Sequence, residues 1–117
     1  VADYETVARI DEIPDGGMKQ VVVKGDLVGL YRVGEKIYAM GDVCTHEEAY
    51  LTDGEFDPDE LEVECPLHAS HFNVATGEVR ILPATKAEPT YPVRIEGDLV
   101  LVGPATHDLK TRRRDDV

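Results

Sequence analysis

The chain has 117 residues, 42% of them hydrophobic, which suits one domain whose small core must be built without Trp and with only two Phe. A formal net charge of −12 leaves no positive surface of the kind that nucleic acid or anionic membranes require, so no nucleic acid and no membrane partner is expected. No apolar run approaches the roughly 18 residues that span a bilayer, and no charged-then-apolar leader opens the chain, so the expectation is a soluble, cytoplasmic protein.

The predicted elements are strands. Residues 4–10 and 19–23 are short β-prone stretches, separated by Pro14 and the Asp15-Gly16-Gly17 turn. Residues 27–32 and 36–40 flank Val33-Gly34-Glu35, a natural hairpin turn. No helical period is sustained, and residues 47–51 have room for a turn or two of helix at most. Residues 61–64 alternate apolar and acidic side chains and run directly into Cys65. Thr76-Gly77 turns the chain before 79–82, and Glu96-Gly97-Asp98 joins 90–95 to 99–102. Many short strands at turn-punctuated intervals predict an all-β fold, a small antiparallel sandwich or barrel. One domain over residues 1–104 is expected, followed by a polar tail over 105–117.

The chemistry is concentrated in two short motifs, Cys44-Thr45-His46 and Cys65-Pro66-Leu67-His68, which hold both cysteines of the chain. C-x-H and C-x-x-H are each short enough for one loop to aim both side chains at one centre. Two thiolates and two imidazoles describe a metal site. Sulfur ligands suit iron–sulfur clusters and zinc, and imidazole suits zinc, iron and copper, so a mononuclear Cys2His2 zinc site is the competing chemistry. Zinc fingers usually draw one ligand type from each half, whereas here each half supplies one of each, an arrangement that segregates naturally onto two irons. A disulfide between the cysteines fits less well beside two histidines, and a reducing compartment suits the pair better.

On these residues the chain resembles the Rieske-type iron–sulfur proteins. The pattern C-T-H, an acidic spacer, then C-P-L-H followed by Phe72 is similar to their cluster-binding signature. The likeness continues through Asn73, Thr76-Gly77, Leu82-Pro83-Ala84, Tyr91-Pro92-Val93 and Gly97-Asp98-Leu99-Val100, from about residue 40 to about residue 102. It is strongest to the small ferredoxins that feed electrons to aromatic-ring dioxygenases. The resemblance implies a Rieske-like fold with a cluster-binding loop subdomain near residues 42–85. It implies one [2Fe–2S] cluster, with Cys44 and Cys65 on one iron and His46 and His68 on the other. It also implies a monomeric one-electron carrier, itself no enzyme, between a flavin-dependent ferredoxin reductase and a terminal oxygenase. Two thiolates leave the oxidised core neutral where four would leave it doubly negative, so reduction is easier than in a four-cysteine ferredoxin.

Relatives set further expectations around the ligands. Ser70 matches a position whose hydroxyl donates to a cluster sulfide in high-potential relatives, although a loop serine bonded to backbone fits as well. Phe72 stands where those relatives place a tyrosine that bonds a cysteine sulfur, and it cannot donate. Pro83 matches the loop that covers the cluster. Ala49 and Leu67 occupy positions where membrane-anchored respiratory relatives carry two bracing cysteines, so that branch is disfavoured. A nitrite-reductase small-subunit-like module shares the architecture but often lacks the ligands, and this chain retains all four. A terminal oxygenase needs a further mononuclear iron, for which only His71 and His107 would remain. Residues 47–64 hold nine Asp or Glu and no Lys or Arg, an acidic run that serves solubility or docking. Glu47, Glu48 and Leu67, all beside the ligand pairs, are the candidate docking residues.

Overall fold

The computed structural model describes residues 4–45, 49–67, 69–82 and 86–105. Tight turns set its central sheet. Lys24 and Gly25 both take positive φ, 52° and 88°, and close a two-residue hairpin between β2 (Met18–Val23) and β3 (Asp26–Val33). Gly34, at φ 62°, opens the matching turn from β3 into β4 (Lys36–Gly41). Ahead of this hairpin pair lies β1 (Glu5–Arg9), which ends in a 3-10 turn over Ile10–Glu12.

A second group of strands follows a 3-10 turn at Leu51–Asp53: β5 (Glu55–Asp57), β6 (Glu62–Glu64), β7 (His71–Asn73) and β8 (Val79–Ile81). The chain then returns through β9 (Thr90–Tyr91), β10 (Val93–Glu96) and β11 (Leu99–Val102). The strands form three antiparallel sheets, ordered β1-β11-β10, β2-β3-β4-β9 and β5-β6-β7-β8. The all-β expectation holds.

The four-stranded sheet containing β3 has apolar side chains on both faces, which is why Val28 to Tyr31 are buried without a break. Val28 and Leu30 enter a core with Ala8, Val21, Val23, Ile37, Ala39, Val100 and Val102. Tyr31 and Met40 enter a second core with Leu51, Val63, Phe72, Val74 and both cysteines. Each fully buried aliphatic side chain contributes about 1.5–3 kcal/mol. The Tyr31 ring packs tilted on Phe56 with centroids 5.1 Å apart.

Two details depart from the sequence expectation. Residues 90–95 were predicted as one strand, but Pro92 divides them. β9 pairs with β4 and β10 with β11, so the chain changes sheets at a residue that has no N–H to donate. β5 and β7, three residues each, were not predicted, because segments so short carry little alternation. Of the predicted tail, residues 106–117 lie outside the described residues. No helix among the described residues is long and apolar enough to cross a membrane.

Candidate metal centre

Cys44 and Cys65 stand at the necks of two loops closed in the same way. Past the end of β4, Val43 bridges to Tyr50, and the Cys44 N–H donates to the Ala49 carbonyl at 2.8 Å. Between β6 and β7, the Cys65 N–H donates to the Ser70 carbonyl, also at 2.8 Å. In each loop the cysteine binds the carbonyl five residues ahead. Ala69 takes φ 61°, a conformation uncommon for a residue with a Cβ and often found at binding loops.

The two loops lie together. Val43, Ala49 and Tyr50 of the first and Pro66 and Leu67 of the second line one shared groove. Gly54 allows the approach from below, since a Cβ there would overlap the Glu64 carbonyl one residue before Cys65. Both cysteines are buried, at 4% and 1% exposure, and neither is in a disulfide. Two cysteines outside any disulfide, leaving an apolar core at equivalent points of adjacent loops, fit the thiolate half of an iron–sulfur centre.

His46 and His68 lie outside the described residues, as do Glu47, Glu48 and Pro83. Among the described residues no three His, Cys, Asp or Glu side chains converge on one point. Ser70 and Phe72 are fully buried, Ser70 at the foot of the second loop and Phe72 in the core that holds the cysteines. Leu67 is 57% exposed. It lines the shared groove with the half-exposed Val43 and Tyr50, an apolar set that needs explanation. His71 is flanked by acid, with Nδ1 3.1 Å from Glu62 Oε1 and Nε2 3.8 Å from Glu64 Oε1.

Sequence reasoning missed a buried acid pair behind the first loop. Asp42 Oδ2 accepts from Gln20 Nε2 and Thr52 Oγ1, both at 2.7 Å, and Oδ1 accepts the Thr52 N–H at 2.8 Å. These bonds tie the two ends of the Cys44 loop together. Glu88 is pushed up to about 9, first by burial and then by the Asp42 charge, with a smaller push from Cys65; the Thr45 N–H opposes the shift. Burial also holds the Tyr31 phenol well above its ordinary range, reinforced by Asp42 and Glu88. Asp42, two residues before a ligand motif, carried a weak signal. Glu88, inside Ala87-Glu88-Pro89, carried none.

The Rieske [2Fe–2S] domain family matches residues 3–92. The ferredoxin component of the naphthalene 1,2-dioxygenase system of Pseudomonas aeruginosa is 43% identical over 91 residues, 78% of this chain and 86% of that protein. Among solved structures, the ferredoxin of carbazole 1,9a-dioxygenase from Nocardioides aromaticivorans IC177 superposes with a TM-score of 0.84 at 39% identity, covering 86% of this chain and 97% of that one. A chain from a complex of reduced oxygenase and oxidised ferredoxin in carbazole 1,9a-dioxygenase gives 0.78 at 32% identity, covering 86% and 93%.

Proposed function

The chain belongs to the Rieske [2Fe–2S] domain family, and we propose that its cluster is held by Cys44 and Cys65 on one iron and by His46 and His68 on the other. It is a ferredoxin component, an electron carrier of aromatic-ring dioxygenase systems. The resident group is therefore an iron–sulfur cluster rather than zinc, and when bound it takes up one electron and gives it back.

The observation that carries the ligand assignment is the matched pair of loops, each closed by a cysteine N–H to the carbonyl five residues on. The chain's own residues do the rest. The Cys44 and Cys65 side chains stay out of water, and Phe72 packs against the same core, so the sulfur side of the centre is dry and rigid. Val43, Tyr50 and Leu67, which line the shared groove of the two loops, form an apolar surface that suits brief contact with a partner. On this reading the monomeric chain takes its electron from a flavin-dependent reductase and docks by that surface on a terminal oxygenase.

The test is chemical analysis of the purified protein with its Cys65→Ala variant. The parent is expected to contain two irons and two labile sulfides per chain. The variant is expected to be colourless and less stable, because a metal centre joining two loops adds folding free energy. A Cys65→Ala protein with its full iron and sulfide would end the assignment.

A further inference from the structure

Glu88 is 2% exposed and sits on a segment fixed at three points. Its own N–H donates to the Gly77 carbonyl at 2.8 Å, and the Gly41 N–H donates to the Pro89 carbonyl at 2.8 Å. Thr45 Oγ1 donates to the Lys86 carbonyl at 2.6 Å. From this segment the carboxyl reaches towards the first ligand loop. Oε1 lies 2.7 Å from where a Cβ on Gly41 would stand, and the carboxyl accepts the backbone N–H of Thr45, the residue between Cys44 and His46. Oε2 is buried with no hydrogen-bond partner among the described residues.

Donor count separates Glu88 from its neighbour. Asp42, fully buried, receives three hydrogen bonds, an environment suited to a group that only accepts. Among the described residues the Glu88 carboxyl receives one, from Thr45. A charge there would be buried, poorly solvated and next to a second carboxylate, so the surroundings fit the neutral acid. The elevated pKa agrees with that geometry. An aliphatic side chain would fill the space without leaving Oε2 unpartnered, but it would leave the Thr45 N–H without this acceptor.

We propose that Glu88 is a positioning residue of the metal centre, an uncharged carboxylic acid that holds the Cys44-Thr45 loop through the Thr45 N–H and places no negative charge behind it. The inference rests on the reading of Cys44 as a ligand. Neutrality matters because a fixed negative charge nearby opposes the arrival of an electron. The hydrogen bond matters because the orientation of a metal ligand is set by what holds its loop.

The test compares the holoprotein with its Glu88→Gln and Glu88→Ala variants by redox titration, electron paramagnetic resonance and the rate of iron loss to a chelator. Glu88→Gln is neutral and keeps an acceptor for Thr45, so its potential and resonance spectrum are expected to match the parent. Glu88→Ala is expected to show a shifted potential, an altered spectrum and faster iron loss. If that variant yields no holoprotein, Glu88→Asp replaces it, with the carboxyl withdrawn by one methylene. A raised potential in Glu88→Gln would show a charged Glu88 and overturn the proposal, as would an Ala or Asp variant identical to the parent. A parent lacking paired iron and sulfide would instead overturn the ligand reading, and this inference with it.

Discussion

Glu88 also gives folding a pH dependence of its own. Its carboxyl shifts from an ordinary value of 4.5 to about 9 in the folded chain. Between those values the folded state holds a proton that the unfolded state has lost, so stability falls as pH rises, by at most ~1.4 kcal/mol per unit. A salt-bridged carboxylate has the opposite sign. Glu88→Gln lacks the titrating proton, so its stability relative to the parent is expected to improve steadily from pH 5 to pH 8 in urea unfolding. A constant difference across that range would show that Glu88 ionises freely. Phe72 allows a second test at this scale. It lies in the core that holds Cys65 and offers no hydroxyl, so the potential is expected near the low end for Rieske centres, roughly −150 mV. Phe72→Tyr should raise it if the new hydroxyl donates to a sulfur. Without such a partner, the buried hydroxyl should cost about 1–3 kcal/mol and leave the potential unchanged. Redox titration with thermal melting separates the two outcomes.

The elements readable in the sequence are those fixed by local chemistry. Gly34 and Gly97, both at φ 62°, mark two-residue hairpin turns that the sequence places directly. C-x-H and C-x-x-H put each cysteine in a loop, because neighbouring residues alone define the motif. β5 and β7 were not legible, since each becomes a strand only by pairing with β6. The Asp42–Glu88 pair was not legible either, because it depends on a distant segment being brought against the first loop. Pro92 could have warned of the break between β9 and β10. Gly54 tests how closely the elements below the loops must fit. Gly54→Ala would press a Cβ into the Glu64 carbonyl, so a loss of about 1–3 kcal/mol and weaker iron retention are expected. Gly25 meets nothing within 4 Å at its Cβ position and has φ 88°. Gly25→Ala should therefore cost about 1 kcal/mol of backbone strain and leave iron content intact. Melting curves with iron analysis on both variants check the contrast.

At the scale of the whole molecule, a charge of −12 is distributed unevenly around the proposed centre. β5 and β6 place Glu55 opposite Glu64 and Asp57 opposite Glu62, like-charge pairs that weaken a two-stranded ribbon. His71, between Glu62 and Glu64, offsets part of that repulsion when protonated. Asp53, Glu55 and Glu64 line the hollow beside Cys65, Pro66 and Leu67, so acid borders the surface proposed for docking. A carrier must meet two partners in turn and leave both, which favours a small contact with fast, electrostatically steered encounter. Partners presenting Lys or Arg around their electron entry points would be drawn to this edge. Raising salt should then slow ferredoxin-dependent turnover, because exposed charges more than about 8–10 Å apart are screened at physiological ionic strength. Asp53→Asn with Glu55→Gln, and separately Glu47→Gln with Glu48→Gln, should lower the second-order rate with the oxygenase and flatten its salt dependence. Leu67→Ala should act differently, speeding dissociation while leaving the salt slope unchanged, because it removes apolar contact and no charge. Stopped-flow rates insensitive to salt and to both acid-neutralising pairs would show that docking rests on apolar contacts such as those of Tyr50 and Leu67 instead.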